Sequence, residues 1–345
     1  MTIELKVASD RDAEKWDNIV ETSPHGTIFH KWNWLKIAEK YTKSKLYPII
    51  GYKGDSPIGI FPLFYFRKYY TKMIFSPPPR VLMLYLGPLI TSNKNYSKIE
   101  RIFINFNEKV NEFITHKLSC NYIRIRTSPG LVDSRPFIWA GYEVEPLYTY
   151  IINLTKGIEQ IWSGLKKELR KNITKAQKEG VKVEEGFKED LYFIESLLAK
   201  RFEEQGFHSG SPHYRNYLSE LYEIFHPHHL RIFVAKYRNE IITGQIVVCH
   251  KDKLSLWTGS PKTSILRGSP NDLLQWEIIK WAHKHGFKYC EIMDAGDNPR
   301  LRHFKAKFNP ELFVWFSAVK YSSPIFKMLE KLAKTIYRSR SIVVD

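Results

Sequence analysis

Twice along the chain the same order of elements recurs, and that recurrence limits the fold more than any single motif. The first pass predicts a strand at Ile3–Ala8, a helix capped by Ser9 or Asp10, and a second helix at Lys31–Tyr41. Strands follow at Leu46–Tyr52, Ile58–Phe66 and, after the Pro77–Pro79 loop, Val81–Leu86. A long helix over Tyr96–Lys117 then crosses to a strand at Asn121–Arg126, a short helix after Asp133 and a strand at Tyr142–Ile152. The second pass predicts helices at Ile158–Glu179, Asp190–Gln205 and Pro212–Phe225, then strands at Arg231–Tyr237, Ile241–His250 and Leu254–Gly259. Arg238 and Asn239 mark a hairpin turn. Strands in a group, followed by a helix that crosses to a further strand, give a mixed sheet with helices on both faces. The expectation is an α/β chain of two similar domains, since 345 residues with 43% hydrophobic content can bury more than one core.

The second pass closes with the segment Ser269–Phe308. Ser269, Pro270 and Asp272 form a helix start, with a capping hydroxyl, Pro in the first turn and an acid at the third position. Leu274, Ile278, Trp281 and Ala282 share one apolar face, and Gly286 ends the helix. Phe287–Met293 is short enough to be one buried strand. After the turn holding Asp294 and Asp297, Leu301, Phe304 and Phe308 fall on one face of a short basic helix. Lys305 lies at the edge of that face and Lys307 points elsewhere. A lysine beside an apolar seam is better placed for chemistry than one in water. A last strand covers Leu312–Lys320.

The run WEIIKWAHKHGFKYCEIMDAG, followed by FKAKF, resembles the closing signature of the Fem family. These are the aminoacyltransferases that build peptidoglycan interpeptide bridges within the GNAT-fold acyltransferase superfamily. LKKELRKNITKAQKEGVKV (Leu165–Val183) is similar to the basic helix that opens the family's second domain, and YLGPLI (Tyr85–Ile90) to its Gly-Pro strand end. The resemblance implies two tandem GNAT-like domains, at 1–152 and 153–322, followed by a basic tail at 323–345. One position departs from the pattern, Asn309 standing where the family usually has Gly. Asn also tolerates a left-handed backbone, so the turn should survive.

Joining an amine to an activated ester or thioester requires two positioned substrates, a stabilised oxyanion and a route for the amine's proton. The resemblance places the family's catalytically implicated lysine on Lys305, with Phe304 and Phe308 beside it as candidate substrate contacts. Arg170, on the flank of a basic helix whose core stripe is Trp162, Leu165, Leu169, Ile173 and Ala176, could meet a phosphate bidentately. Asn172 occupies the other flank and is a second binding candidate. Lys36, after Trp32 and Trp34, matches an early aromatic-then-lysine segment that the family uses for acceptor phosphates; Lys31, Lys40 and Lys43 compete with it. Asp294 or Asp297 could accept or orient the amine's proton, although Asp and Gly also populate such turns for backbone reasons. In SILRGSPND only Arg267 and Gly268 fit the Gly-rich pyrophosphate loop of CoA-using GNAT enzymes, which disfavours acetyl-CoA as donor.

The formal net charge of +17 points to an anionic partner such as phosphate, nucleic acid or an acidic membrane surface. Cys120, Cys249 and Cys290 are odd in number and widely spaced, with no disulfide or zinc pattern, and suit buried thiols in a reducing cytosol. The HPHHL run at His226–Leu230 lacks ligand partners at metal spacing, and neither a metal nor a cofactor is expected. The N-terminus has no apolar signal core, so the protein is expected in the cytoplasm. In the tail, Ile325, Met328, Leu329, Leu332 and Ile336 fit an amphipathic helix that could make peripheral contact with a membrane. The leading expectation is transfer of an aminoacyl or related acyl group from aminoacyl-tRNA to an amine of a cell-envelope precursor. The alternatives are a GNAT-type N-acyltransferase using acyl-CoA or an acyl-carrier thioester, and a non-catalytic RNA- or membrane-binding module.

Overall fold

The computed structural model describes residues 3–91, 96–204, 212–259 and 268–328. They form two compact units. The first takes the chain up to Leu147 together with the segment from Val314 onward, and the second is Tyr148–Phe313.

In the first unit the elements are β1 (Glu4–Val7), α1 (Ala13–Thr22), α2 (Trp32–Thr42), β2 (Lys45–Lys53), β3 (Ser56–Lys68), β4 (Thr71–Ser76), β5 (Leu89–Ile90), α3 (Tyr96–Glu112), β6 (Tyr122–Arg126) and α4 (Arg135–Trp139). β1 to β4 are an antiparallel run, and α3 then carries the chain over to β6, which lies parallel to β4. α3 is amphipathic. Its buried Phe103, Phe106 and Val110 pack on Phe61, Ile74, Ile123 and Ile125 of the sheet, each such side chain contributing about 2 kcal/mol.

The second unit repeats this plan. Its elements are β7 (Glu143–Asn153), α5 (Ile158–Gly164), α6 (Lys167–Lys178), β8 (Lys182–Glu185), α7 (Asp190–Glu204), α8 (Pro212–Phe225), β9 (Leu230–Tyr237), β10 (Glu240–His250), β11 (Lys253–Gly259), α9 (Pro270–Lys284), β12 (Tyr289–Glu291) and α10 (Pro299–Ala306). β8 to β11 are antiparallel and β12 runs parallel to β11. Arg238 and Asn239 turn the β9–β10 hairpin with φ of 51° and 67°, the left-handed pair that a tight hairpin needs. One core cluster joins Leu169, Ile173 and Ala176 of α6 to Leu274 and Ile278 of α9 and to Val247, Leu254 and Cys290 of the sheet.

The final strand, β13 (Glu311–Tyr321), does not stay with the unit it follows. From Ser317 to Tyr321 it pairs antiparallel with β6, while β12 pairs on that side with Ile151–Asn153 of β7. The segment expected to close the second domain through residue 322 therefore joins the first unit from Val314.

Other local expectations also change. Val81–Leu86 is not a ladder strand. Arg80 and Leu82 have positive φ, and only Leu86 bridges, to Thr127. Its residues are apolar because Val81, Met83, Tyr85 and Leu86 are buried; the paired strand is β4, ahead of the prolines. The helix expected over Ile158–Glu179 is two helices. Leu165 and Lys166 are extended, and the Lys166 amide donates to the Lys307 carbonyl at 2.9 Å instead of continuing the helical ladder. β8 was not foreseen, and the strand at Phe287–Met293 is shorter, only Tyr289–Glu291. Among the described residues no helix is long and apolar enough to cross a membrane.

Gly268 shows how closely α6 and the start of α9 approach. A Cβ there would lie 2.7 Å from the Ala176 amide nitrogen and 2.9 Å from its Cα. Helix backbone cannot yield as a side chain can. Gly268→Ala should therefore lower stability by about 1–3 kcal/mol, read as a fall in melting temperature.

Candidate functional site

The site is built around β12, a three-residue strand between two neighbours. Its parallel register with β11 is Lys253↔Tyr289, Leu254↔Cys290 and Ser255↔Glu291. β11 continues to Gly259, but β12 ends at Glu291, so the pair parts there. Glu291 has no solvent exposure. Its carboxylate accepts from the Thr149 hydroxyl of β7 at 2.8 Å and the Ser255 hydroxyl of β11 at 2.9 Å, and pairs with the Lys253 ammonium at 2.8 Å. A buried carboxylate is tolerated only with such partners, and these tie three strands together at the point where two of them separate.

Past Glu291 the Ile292 amide donates to Tyr150 on β7, and Met293 takes a left-handed backbone with φ 58°. That is a costly conformation for an unbranched, bulky residue, and it aims two consecutive carbonyls at one point. Lys305 Nζ donates to the Met293 carbonyl at 3.0 Å and to the Asp294 carbonyl at 2.6 Å. Asn298 caps α10 by accepting from the Leu301 amide at 3.0 Å, with Pro299 in the first turn, and so fixes the helix that carries Lys305. The lysine is 8% exposed, far deeper than the edge position expected of it. Burial lowers its pKa from 10.5 to about 8, against the pull of the Asp294 and Glu291 charges. An ammonium has three N–H donors, and the two carbonyls use two of them.

Around Lys305, Phe308 is 1% exposed and belongs to the core. Phe304 is half-buried and meets Phe308 edge-on, with ring centroids 5.8 Å apart, leaving Phe304 the better placed of the two to touch a substrate. Asn309 turns the chain with φ 52°, as expected of the residue replacing Gly. Asp294 is half-buried, and its Oδ1 accepts from the Gly296 amide at 2.8 Å, a turn role; Asp297 is exposed. Lys307 bonds Glu168 at the start of α6 at 2.8 Å, which holds that carboxyl below its ordinary range. Arg170 is half-buried and its guanidinium reaches the Ser163 carbonyl only at 3.5 Å. Asn172 donates to the buried Asp272 at 2.9 Å, an α6–α9 tie.

Lys36 belongs to the first unit. It is exposed on α2 and pairs with Glu39 one turn on, at 2.5 Å. Its competitor Lys31 is held by Asp17 and Glu21. The three cysteines are buried free thiols, and burial pushes Cys120 up to about 11 and Cys249 up to about 12.

Sequence reasoning missed Glu291 and its partners Thr149, Ser255 and Lys253. The letters mark only an acid in an apolar run. Cys290 and Ile292 point to the opposite face of the strand from Glu291, so its burial is set by what covers its own face, Thr149, Ser255 and Lys253 among it.

Comparison with known proteins also points to a tandem plan. Residues 163–305 match the family model described as an acetyltransferase (GNAT) domain. A crystal structure of FemX aligns with 95% of this chain and 100% of its own at a TM-score of 0.69 and 13% identity. The structure of L-PGS from Bacillus licheniformis covers 94% and 97% at a TM-score of 0.55 and 13% identity. A tandem GNAT protein from the clavulanic acid biosynthesis pathway covers 94% and 99% at a TM-score of 0.54 and 10% identity. Comparison with curated protein sequences finds no match. The chain has a Fem-like tandem GNAT fold.

Its GNAT domain is an acyltransferase domain, and the match ends on Lys305 itself. In this Fem-like chain two tests separate the buried charges. Glu291→Ala removes the buried acceptor shared by Thr149, Ser255 and Lys253 and should cost about 3 kcal/mol or more, seen as a large drop in melting temperature. For Lys305 the sign runs the other way. Below about pH 8 the lysine is charged in both folded and unfolded chains, and the burial cost is fully present. Between about 8 and 10.5 the unfolded chain binds more protons than the folded one, so stability rises with pH. The shift corresponds to on the order of 3 kcal/mol. In denaturant titrations from pH 7.5 to 10 the parent should therefore gain stability relative to Lys305→Met.

Proposed function

We propose that this protein transfers an aminoacyl group from aminoacyl-tRNA to an amine on a cell-envelope precursor. The amine nitrogen attacks the ester carbonyl carbon, the carbonyl electrons move onto oxygen, and the carbon–oxygen bond to the ribose then breaks. The amine's proton ends on the leaving hydroxyl. The observation that carries the reading is Lys305, an ammonium fixed by two backbone carbonyls. Aimed at the developing oxyanion, a preorganised cation in a buried setting is worth far more than one in water. The Asp294 or Asp297 carboxylate would receive or orient the amine's proton, Phe304 would flank the acyl group, and Arg170 and Lys36 would meet phosphates of donor and acceptor.

The donor assignment has its own support at the start of α9. In a CoA-binding arrangement the amides here would face pyrophosphate. In this chain the Gly268 amide donates to the Glu179 carboxylate at 2.9 Å, the Ser269 hydroxyl accepts from the Asp272 amide, and Pro270 has no N–H. Asp272 adds a buried acid to the first turn. Two carboxylates and a self-capped helix oppose a pyrophosphate; Arg267 lies outside the described residues. A tRNA donor entails action in the cytoplasm, and the many phosphates of tRNA suit the +17 charge.

Lys305→Met should reduce turnover about a hundredfold or more, while Lys307→Met, which removes the pair with Glu168 but leaves the backbone bond from the Lys166 amide to the Lys307 carbonyl, should reduce it far less. Equal losses in both would remove Lys305 from the chemistry. Retention of aminoacyl-tRNA on filters should fall steeply as salt rises, with a log–log slope of several units. Tight binding of CoA with no affinity for tRNA would replace the donor by a thioester.

A further inference from the structure

Between Asp55 and Glu100 the sequence contains no acidic residue but six basic ones, Arg67, Lys68, Lys72, Arg80, Lys94 and Lys98. The β3–β4 hairpin occupies the middle of this stretch. Its strands pair as far as Lys68↔Thr71, so Tyr69 and Tyr70 are the whole loop. Two-residue hairpin loops favour Asn and Gly, because a positive φ is costly for a bulky side chain. Tyr69 nevertheless sits at φ 53°. The two rings are 84% and 96% exposed, the highest values among large hydrophobic side chains of the described residues. Arg67 and Lys68 beside them are exposed as well. This loop accepts backbone strain and apolar exposure together.

A second apolar group leaves the same end of the first unit's sheet. The registers Met73↔Tyr122 and Tyr122↔Tyr321 set β4, β6 and β13 in one row. One residue farther out, Lys72 and Asn121 exchange bonds at 2.9 and 2.8 Å, and the Ser322 amide donates to the Asn121 carbonyl at 2.9 Å. The chain then enters a helical turn at 324–328, where Ile325 and Met328 are 69% and 64% exposed.

We infer that this sheet end is a docking surface for a bilayer carrying anionic lipid headgroups. Tyr69 and Tyr70 enter the interface, Ile325 and Met328 join them, and Arg67 and Lys68 meet the lipid phosphates. Tyrosine rings sit well at headgroup depth, and each cation near an anionic surface adds attraction. Neither term anchors a protein by itself, but the two together do. Single-stranded RNA is instead bound along a basic groove with stacking platforms, whereas these rings cap a projecting two-residue turn. The inference is independent of the acyl-transfer reading.

The test is sedimentation of the full chain with vesicles of phosphatidylcholine containing phosphatidylglycerol, against phosphatidylcholine alone. The parent should partition onto the anionic vesicles and only weakly onto the neutral ones. The double variant Tyr69→Gly/Tyr70→Ser should lose about tenfold or more of that partitioning. Because Gly relieves the positive φ, its melting temperature should hold or rise. Arg67→Gln/Lys68→Gln should lose binding to the anionic vesicles alone, by a similar factor. Equal sedimentation of parent and variants, a loss accompanied by a lowered melting temperature, or tyrosine-dependent capture of a single-stranded RNA oligomer with vesicles ignored would each overturn the inference.

Discussion

A carboxylate with no access to water must be held by donors from its surroundings, and at Glu291 the available donors sit on three different strands. Thr149, Ser255 and Lys253 therefore decide where β7, β11 and β12 stay together and where β11 and β12 part. The turn that follows inherits this fixed start. Met293 is driven into a left-handed conformation, its carbonyl and that of Asp294 converge, and Lys305 is drawn out of solvent to meet them. The lowered proton affinity of the lysine then follows from burial that two backbone carbonyls offset only in part. The placement of Lys305, at the end of this chain of causes, thus traces back to the buried acid at Glu291.

The same reasoning explains how α6 and α9 bear on the setting of Lys305. Lys166 and Glu168 hold the end of α10 through Lys307, by one backbone and one side-chain bond. Asn172 and Glu179 hold the start of α9 through Asp272 and Gly268. Basic and polar residues that look merely solvated in sequence thus act as struts between helices.

Much of the architecture was legible because its signals are local. The duplicated order of elements, the Ser269 cap, the Arg238–Asn239 turn and the left-handed Asn309 each follow from residue types at fixed spacing. Lys305 and its short helix were legible for the same reason, helped by a family resemblance. What escaped was non-local. Val81–Leu86 is apolar because it is buried and not because it is paired. The break at Leu165–Lys166 depends on a carbonyl of Lys307, far along the chain. Glu291 could be seen as an acid in an apolar strand, but its partners lie 36 to 142 residues away.

Pairing partners are also not written in a strand's own letters, and here the consequence reaches beyond the sheets. β13 follows the second unit in sequence but completes the first, and β7 follows the first but completes the second. The first unit is thus completed by a strand that lies, in sequence, beyond the point where its own run of elements ends. No single cut in the chain yields a finished half. During synthesis the first unit waits for the last strand before its β6 edge is covered, and an unpaired strand edge invites wrong partners until then. The second unit is one continuous stretch, so the first is the one whose completion is delayed until the whole of its neighbour in sequence has been made.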